Sequence, residues 1–166
     1  TLDSNRVAGS PLEPRSYISA FDETTGAITL WATTQTPHYL RRWLAKYTLF
    51  VPEHKIRVIA PEVGGGFGSK TPIYADEMIA SFCSMRLGRP VKWTGTRAEL
   101  FLADLQARDH VTRGALALDR DGRFLALGVD GVGNLGANVA TRAVYVPIFH
   151  MSRMMSGAYA IPQIRF

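Results

Sequence analysis

The run Val63 to Thr71, V-G-G-G-F-G-S-K-T, sets four glycines (Gly64, Gly65, Gly66, Gly68) around a single aromatic residue, Phe67. Glycine loses more backbone freedom on ordering than any other residue, about 0.5–1 kcal/mol relative to Ala in regular structure, so such a cluster points to close approach between backbone and a ligand. The apolar stretch Ile56 to Ala60 precedes it and Pro72 follows it. That order predicts strand, loop, then helix, with the loop opening on a helix N-terminus whose free N–H groups and roughly half a positive charge favour an anion. Gln35 is the second residue suited to this chemistry. It stands at a strand-to-helix corner before Thr36 and Pro37, where its amide can donate to a ligand oxygen without adding charge, or else bond local backbone.

Three kinds of site compete for the loop. A phosphate loop, G-x-x-x-x-G-K-[ST], matches at Gly64, Lys70 and Thr71 but fails at Ser69, where its second glycine belongs. A dinucleotide loop, G-x-G-x-x-G, fails at Ser69 in one register and at Thr71 in the other. The third reading keeps the loop as written, with Phe67 either a flat apolar wall beside a ligand ring or a plug for the core beneath.

The elements that position these residues follow from periodicity and punctuation. Residues 1 to 14 read as an extended lead-in with two prolines. Arg15 to Phe21 and Ala27 to Thr34 predict a hairpin around the turn Glu23 to Gly26. Leu40, Trp43, Leu44 and Tyr47 fall at i, i+3, i+4, i+7, which predicts an amphipathic helix over 37–49 capped by Thr36. A second helix is expected over 72–87, with Thr71 as cap and Gly88 past its end. Val91 to Thr94 reads as a strand and Ala98 to Ala103 as a helical turn. His110 to Leu118 and Arg123 to Val132 read as strands about an Asp119–Gly122 turn. Val139 to Ser156 reads as helix despite Pro147, and Ile161 to Phe166 as strand.

The chain has 166 residues, 46% hydrophobic and 20% charged, in the range of ordinary globular domains. A net charge of +5 is scattered, with no aromatic-interleaved basic tract, so nucleic acid is not an expected partner. No apolar run approaches the roughly 20 residues that span a bilayer, and none resembles a signal peptide; the expectation is a cytoplasmic protein without membrane association. One cysteine, Cys83, excludes an internal disulfide and is expected in the core on the second helix with Ile79, Phe82 and Leu87. His38, His54, His110 and His150 lack metal-site spacing, so no protein metal ligand is expected.

Taken in order, L-E-P-R (12–15), T-L-W-A-T-T-Q-T-P-H (29–38), I-A-P-E-V-G-G-G-F-G-S-K (59–70), G-R-P-V-K-W-T (88–94), T-R-A-E (96–99) and the final I-P-Q-I-R-F resemble one family. It is the molybdopterin-binding large subunit of the molybdenum hydroxylases, which includes xanthine dehydrogenase, aldehyde oxidase and the large chain of aerobic carbon monoxide dehydrogenase. The resemblance implies an α/β (α+β) fold, with a twisted, mainly antiparallel or mixed sheet packed on two principal helices. It makes residues 1–166 the first part of a molybdenum cofactor-binding region in a longer chain. Its implied cofactor is molybdopterin with molybdenum, in dinucleotide form, in the full-length enzyme and not retained by residues 1–166 alone; the cofactor's dithiolene rather than a side chain holds the metal.

By the same resemblance, Gln35 lies beside the metal and bonds one of its oxygens. Phe67 and Gly68 bring backbone close to the metal and its apical oxo group, with Gly66 alongside. The implied reaction is hydroxylation of a carbon centre, or oxidation of an aldehyde or carbon monoxide, with oxygen from water and electrons passing to an iron–sulfur subunit and an FAD subunit. The catalytic glutamate is expected downstream of this chain, so Glu77 and Glu99 are given helix-surface and packing roles, and residues 1–166 alone are expected to be inactive and prone to homo-oligomerise. Thr71 stands where the purine-oxidising branch has a substrate-binding glutamate, which directs the resemblance toward the carbon monoxide dehydrogenase-like branch.

Overall fold

The computed structural model describes residues 1–140 and 144–166. Its strands are β1 (Leu2–Ala8), β2 (Ser16–Asp22), β3 (Ala27–Ala32), β4 (Ile56–Ile59), β5 (Val91–Thr94), β6 (Gln106–Leu118), β7 (Phe124–Gly133) and β8 (Gln163–Arg165). Pairing forms two four-stranded sheets, ordered β4-β3-β2-β5 and β1-β6-β7-β8. The α/β class expected from sequence is observed, with two sheets in place of one. The chain divides into two units, Ala8–Leu105 and Thr1–Val7 with Gln106–Phe166.

In the first unit, alternation sets one sheet face inward. Tyr17, Ser19, Ile28, Leu30 and Ala32 are buried, and the antiparallel register Tyr17↔Ala32, Ser19↔Leu30, Phe21↔Ile28 puts them on the same side. Ile18 and Trp31 lie across the ladder from each other and are partly exposed. Helices cover the inner face. Helix α1 (Pro37–Trp43) starts with proline in its first turn after Thr36, then widens into a π-helix over Leu44–Leu49; Leu40, Leu44, Ala45 and Leu49 join the core. Tyr39, Trp43 and Tyr47 form a surface aromatic ladder, with centroids 5.7 and 4.6 Å apart.

Helix α2 (Ala75–Leu87) packs on β2 and β5 and ends at Gly88, whose φ of 61° suits a left-handed C-cap. It starts three residues later than sequence predicts, at Ala75 rather than Pro72. Its buried residues are Glu77, Ala80, Ser81 and Ser84, whereas Ile79, Phe82 and Leu87 are exposed, so the predicted apolar contact face is reversed. Small side chains allow close approach to the sheet, and the serines are satisfied nearby. Ser81 Oγ donates to the Glu77 carbonyl at 2.9 Å, while Ser84 Oγ accepts from Phe21 N–H at 3.0 Å and donates to the Arg89 carbonyl at 2.9 Å. Cys83 is half-buried rather than core. Helix α3 (Arg97–Ala103) has a reciprocal cap, with Glu99 N–H donating to Thr96 Oγ1 at 3.2 Å and Thr96 N–H to Glu99 Oε2 at 2.7 Å.

In the second unit, β6 and β7 form a long antiparallel hairpin and β8 pairs parallel with β7. Residues 2–8, part of the extended lead-in read from sequence, form strand β1 beside β6. The helix predicted over 139–156 overlaps a π-helical turn at Tyr145–His150 followed by α4 (Met151–Met154). Residues 141–143 of that prediction lie outside the described residues.

Candidate functional site

A single parallel pairing brings the two predicted site segments together. Strand β4 lies parallel to β3, with Ile28↔Ile56 through Trp31↔Ile59 in register, so the chain leaves both strands at the same sheet edge. Gln35 follows β3 and the glycine loop follows β4. Carboxyl ends of neighbouring parallel strands are where α/β sheets commonly bind ligands.

One backbone and one side-chain hydrogen bond strap the two exits together. Gln35 N–H donates to the Lys70 carbonyl at 3.0 Å, and Thr36 Oγ1 donates to the Thr71 carbonyl at 3.0 Å. The Gln35 side chain then turns back onto the loop, its Oε1 accepting from Gly68 N–H at 3.0 Å and Lys70 N–H at 3.2 Å. With the oxygen committed to backbone, the amide nitrogen keeps its two hydrogens for another acceptor. Gly66 is required by this arrangement, because a Cβ there would sit 2.5 Å from Gln35 Oε1 and 2.6 Å from Cδ.

Gly68 is required for a different reason. Its φ is +87° with open space around the position of a Cβ. Phe67 occupies the left-handed region at φ 50° and is 76% exposed, with its Cε2 3.2 Å from where a Cβ on Gly65 would lie. Of the two uses read for Phe67, the core plug is thereby excluded. Gln35, Phe67 and Gly68 are exposed and, with half-buried Gly66 against the Gln35 carboxamide, form one rim.

Glu13, which sequence reasoning left without a role, anchors the other end of the loop. Its Oε2 accepts from Gly64 N–H at 2.8 Å and from Lys70 Nζ at 2.9 Å. The Lys70 side chain has no exposure, so this lysine is structural and not the free cation a phosphate loop presents. Arg15, two residues on, is buried between Asp104 Oδ1 at 2.7 Å, Asp76 Oδ2 and the Tyr17 hydroxyl at 3.1 Å, under the Tyr74 ring. Burial outweighs the neighbouring guanidinium and holds the Asp104 carboxyl above its usual range.

The expectation that the loop opens directly on a helix N-terminus is corrected. Residues 71–74 intervene, and the first turn of α2 carries its own acids, Asp76 and Glu77; Tyr74 N–H donates to Glu77 Oε2 at 3.3 Å. Glu77, expected on a helix surface, is 1% exposed, and burial pushes its pKa up to about 8. The loop is therefore bordered by neutral amide groups rather than by a helix pole. Among the described residues, no group of three or more His, Cys, Asp or Glu side chains is arranged to hold a metal ion.

The molybdopterin cofactor-binding domain profile matches residues 1–166. The chain belongs to the molybdopterin cofactor-binding domain family. It is 37% identical to the carbon monoxide dehydrogenase large chain of Hydrogenophaga pseudoflava, over 95% of this chain and 20% of that one. It is 35% identical to the nicotine 6-hydroxylase large subunit of Paenarthrobacter nicotinovorans, over 72% of this chain and 14% of the relative. The crystal structure of quinoline 2-oxidoreductase from Pseudomonas putida 86 superposes with a TM-score of 0.84 at 34% identity, covering 98% of this chain and 21% of that one. This chain spans about a fifth of the length of the first curated relatives it matches.

Proposed function

We propose that this chain forms one wall of a molybdopterin site in an oxidoreductase that hydroxylates a carbon centre or oxidises an aldehyde or carbon monoxide, with water as oxygen source. The observation that carries the reading is the Gln35 carboxamide, fixed through its oxygen on Gly68 and Lys70 N–H and therefore leaving its nitrogen as a donor, on a loop whose Phe67 ring is exposed. A neutral donor and a flat apolar ring suit a cofactor that carries its own metal ligands and needs bordering rather than coordination. When bound, the group would supply two-electron redox chemistry.

The chain's own residues have narrower tasks. Gln35 would orient the cofactor by donating to one of its oxygens. Gly66 keeps room for the carboxamide, and Gly68, with open space where a Cβ would be, would leave the loop bare beside the cofactor. Phe67 would limit water on one side. The dinucleotide form of the pterin, and association with iron–sulfur and FAD subunits in the cytoplasm, are proposed on the sequence motifs and on relatives described as large chains or large subunits. Among the described residues no helix is long and apolar enough to cross a membrane.

The test is cofactor retention. In the full polypeptide carrying this domain, Gln35→Ala should lower molybdenum and pterin content several-fold without lowering the melting temperature by more than a few degrees. Metal content and spectra identical to wild type would overturn the assignment of Gln35. Nucleotide released by acid hydrolysis would decide between mononucleotide and dinucleotide pterin.

A further inference from the structure

Tyr74 ties the glycine loop to its unit through one oxygen atom. Its phenol donates to the Ser69 carbonyl at 2.5 Å and accepts from Leu105 N–H at 3.0 Å. The ring lies on the Arg15 guanidinium, whose Cζ is 3.8 Å from the ring centroid. Arg15 is itself held by Asp104, Asp76 and the Tyr17 hydroxyl, so the phenol is fixed by its ring face as well as by its oxygen. Burial pushes the Tyr74 pKa up to about 12, and the proton it donates stays in place across physiological pH.

The Ser69 carbonyl and the Lys70 N–H belong to one peptide unit. A planar trans peptide points these two groups to opposite sides. One side is held by Tyr74, and the other donates to Gln35 Oε1 at 3.2 Å. Gly68 N–H, two peptide units earlier in the loop, donates to the same oxygen at 3.0 Å, so the two donors together fix the carboxamide. Gly68, at φ +87° with open space around it, offers the backbone freedom to turn if the carbonyl is released.

We propose that Tyr74 is a positioning residue for Gln35: it locks the Ser69–Lys70 peptide plane, and that plane sets the direction in which the carboxamide presents its nitrogen to the cofactor. The inference rests on the reading of Gln35 as a cofactor-facing group. Tyr74 itself lies behind the loop and need not touch the cofactor.

Tyr74→Phe, made in the cofactor-loaded full polypeptide, removes the oxygen and keeps the ring. Amide hydrogen exchange at Gly68 and Lys70 should rise at least tenfold, while α2 and the β4-β3-β2-β5 sheet keep their rates. The molybdenum paramagnetic resonance signal should change in the same direction as in Gln35→Ala. Unchanged exchange at Gly68 and Lys70 would overturn the proposal. So would a signal altered in Gln35→Ala but not in Tyr74→Phe, and that outcome would leave the role of Gln35 standing. An unaltered signal in Gln35→Ala, with loop exchange raised in Tyr74→Phe, would instead reject the reading of Gln35, and with it this extension. If Tyr74→Phe destabilises the whole unit, a tetrafluorinated tyrosine at 74 gives the same readout in a folded protein. Its more acidic phenol loses the donated proton as pH is raised, and exchange that stays at the wild-type rate would again overturn the proposal.

Discussion

At Gly66 a hydrogen stands where any other residue would place a carbon 2.5 Å from Gln35 Oε1, 2.6 Å from Cδ and 2.9 Å from Cγ. An alanine there must displace the carboxamide and with it two hydrogen bonds, each worth about 0.5–1.5 kcal/mol net. Gly66→Ala is therefore expected to cost about 1–3 kcal/mol in urea unfolding. In a Gln35→Ala background the three atoms nearest to the new Cβ are gone and the same substitution should cost markedly less, a coupling that a double-mutant cycle reads directly. Additive single effects would show that the two positions do not share space. Gln35 and the glycines were legible in sequence because a strand-to-helix corner and a glycine cluster are local signals. Glu13 and Tyr74 were not, since their partners lie far along the chain: Glu13 reaches Gly64 and Lys70 across 51 and 57 residues, and Tyr74 reaches Leu105 across 31. Lys70 was ambiguous for the same reason, because a lysine in a glycine loop looks free until the carboxylate that holds it is found.

Helix α2 shows where pattern reading fails at the scale of an element. Its apolar residues follow helical spacing, yet its buried side is Glu77, Ala80, Ser81 and Ser84, because serines bonded to neighbouring backbone cost little to bury and let the helix sit close to the sheet. Where the determinants were local, as in β5 at Val91–Thr94 or the Thr96–Glu99 cap of α3, the boundaries agreed with sequence to within a residue. The buried carboxyl of Glu77 has a measurable consequence. With its pKa raised by burial to about 8, the folded state holds a proton that the unfolded state releases between that pH and the ordinary carboxylate range. The proton-linked stability is complete below about pH 4.5 and is lost as pH rises through about 8. Calorimetric melting temperatures of wild type and Glu77→Gln should accordingly diverge between pH 5 and pH 8, with wild type losing more. Parallel curves would mean that Glu77 is ionised in the fold.

For the whole chain, the pairings that define its two sheets were the least legible feature, since β1 finds β6 about a hundred residues later and no local pattern encodes that match. Much apolar surface stays open within each unit, including Ile79, Phe82 and Leu87 on α2 and Leu116, Leu125 and Val132 on the long hairpin. Surfaces of this kind favour contact with further protein, and the 166-residue chain on its own should sediment faster as its concentration rises. Phe82→Glu should weaken that dependence, whereas a single species at every concentration would argue against self-association. The β2–β3 turn has a practical bearing. Asp22 to Gly26 connects the strands at the amino end of β3, and Gln35 departs from the carboxyl end of the same strand, so the length of the sheet separates the two. A fluorophore or an immobilising tether attached at Thr24 would leave the rim of Phe67 and Gly68 facing away from its anchor, ready for direct titration.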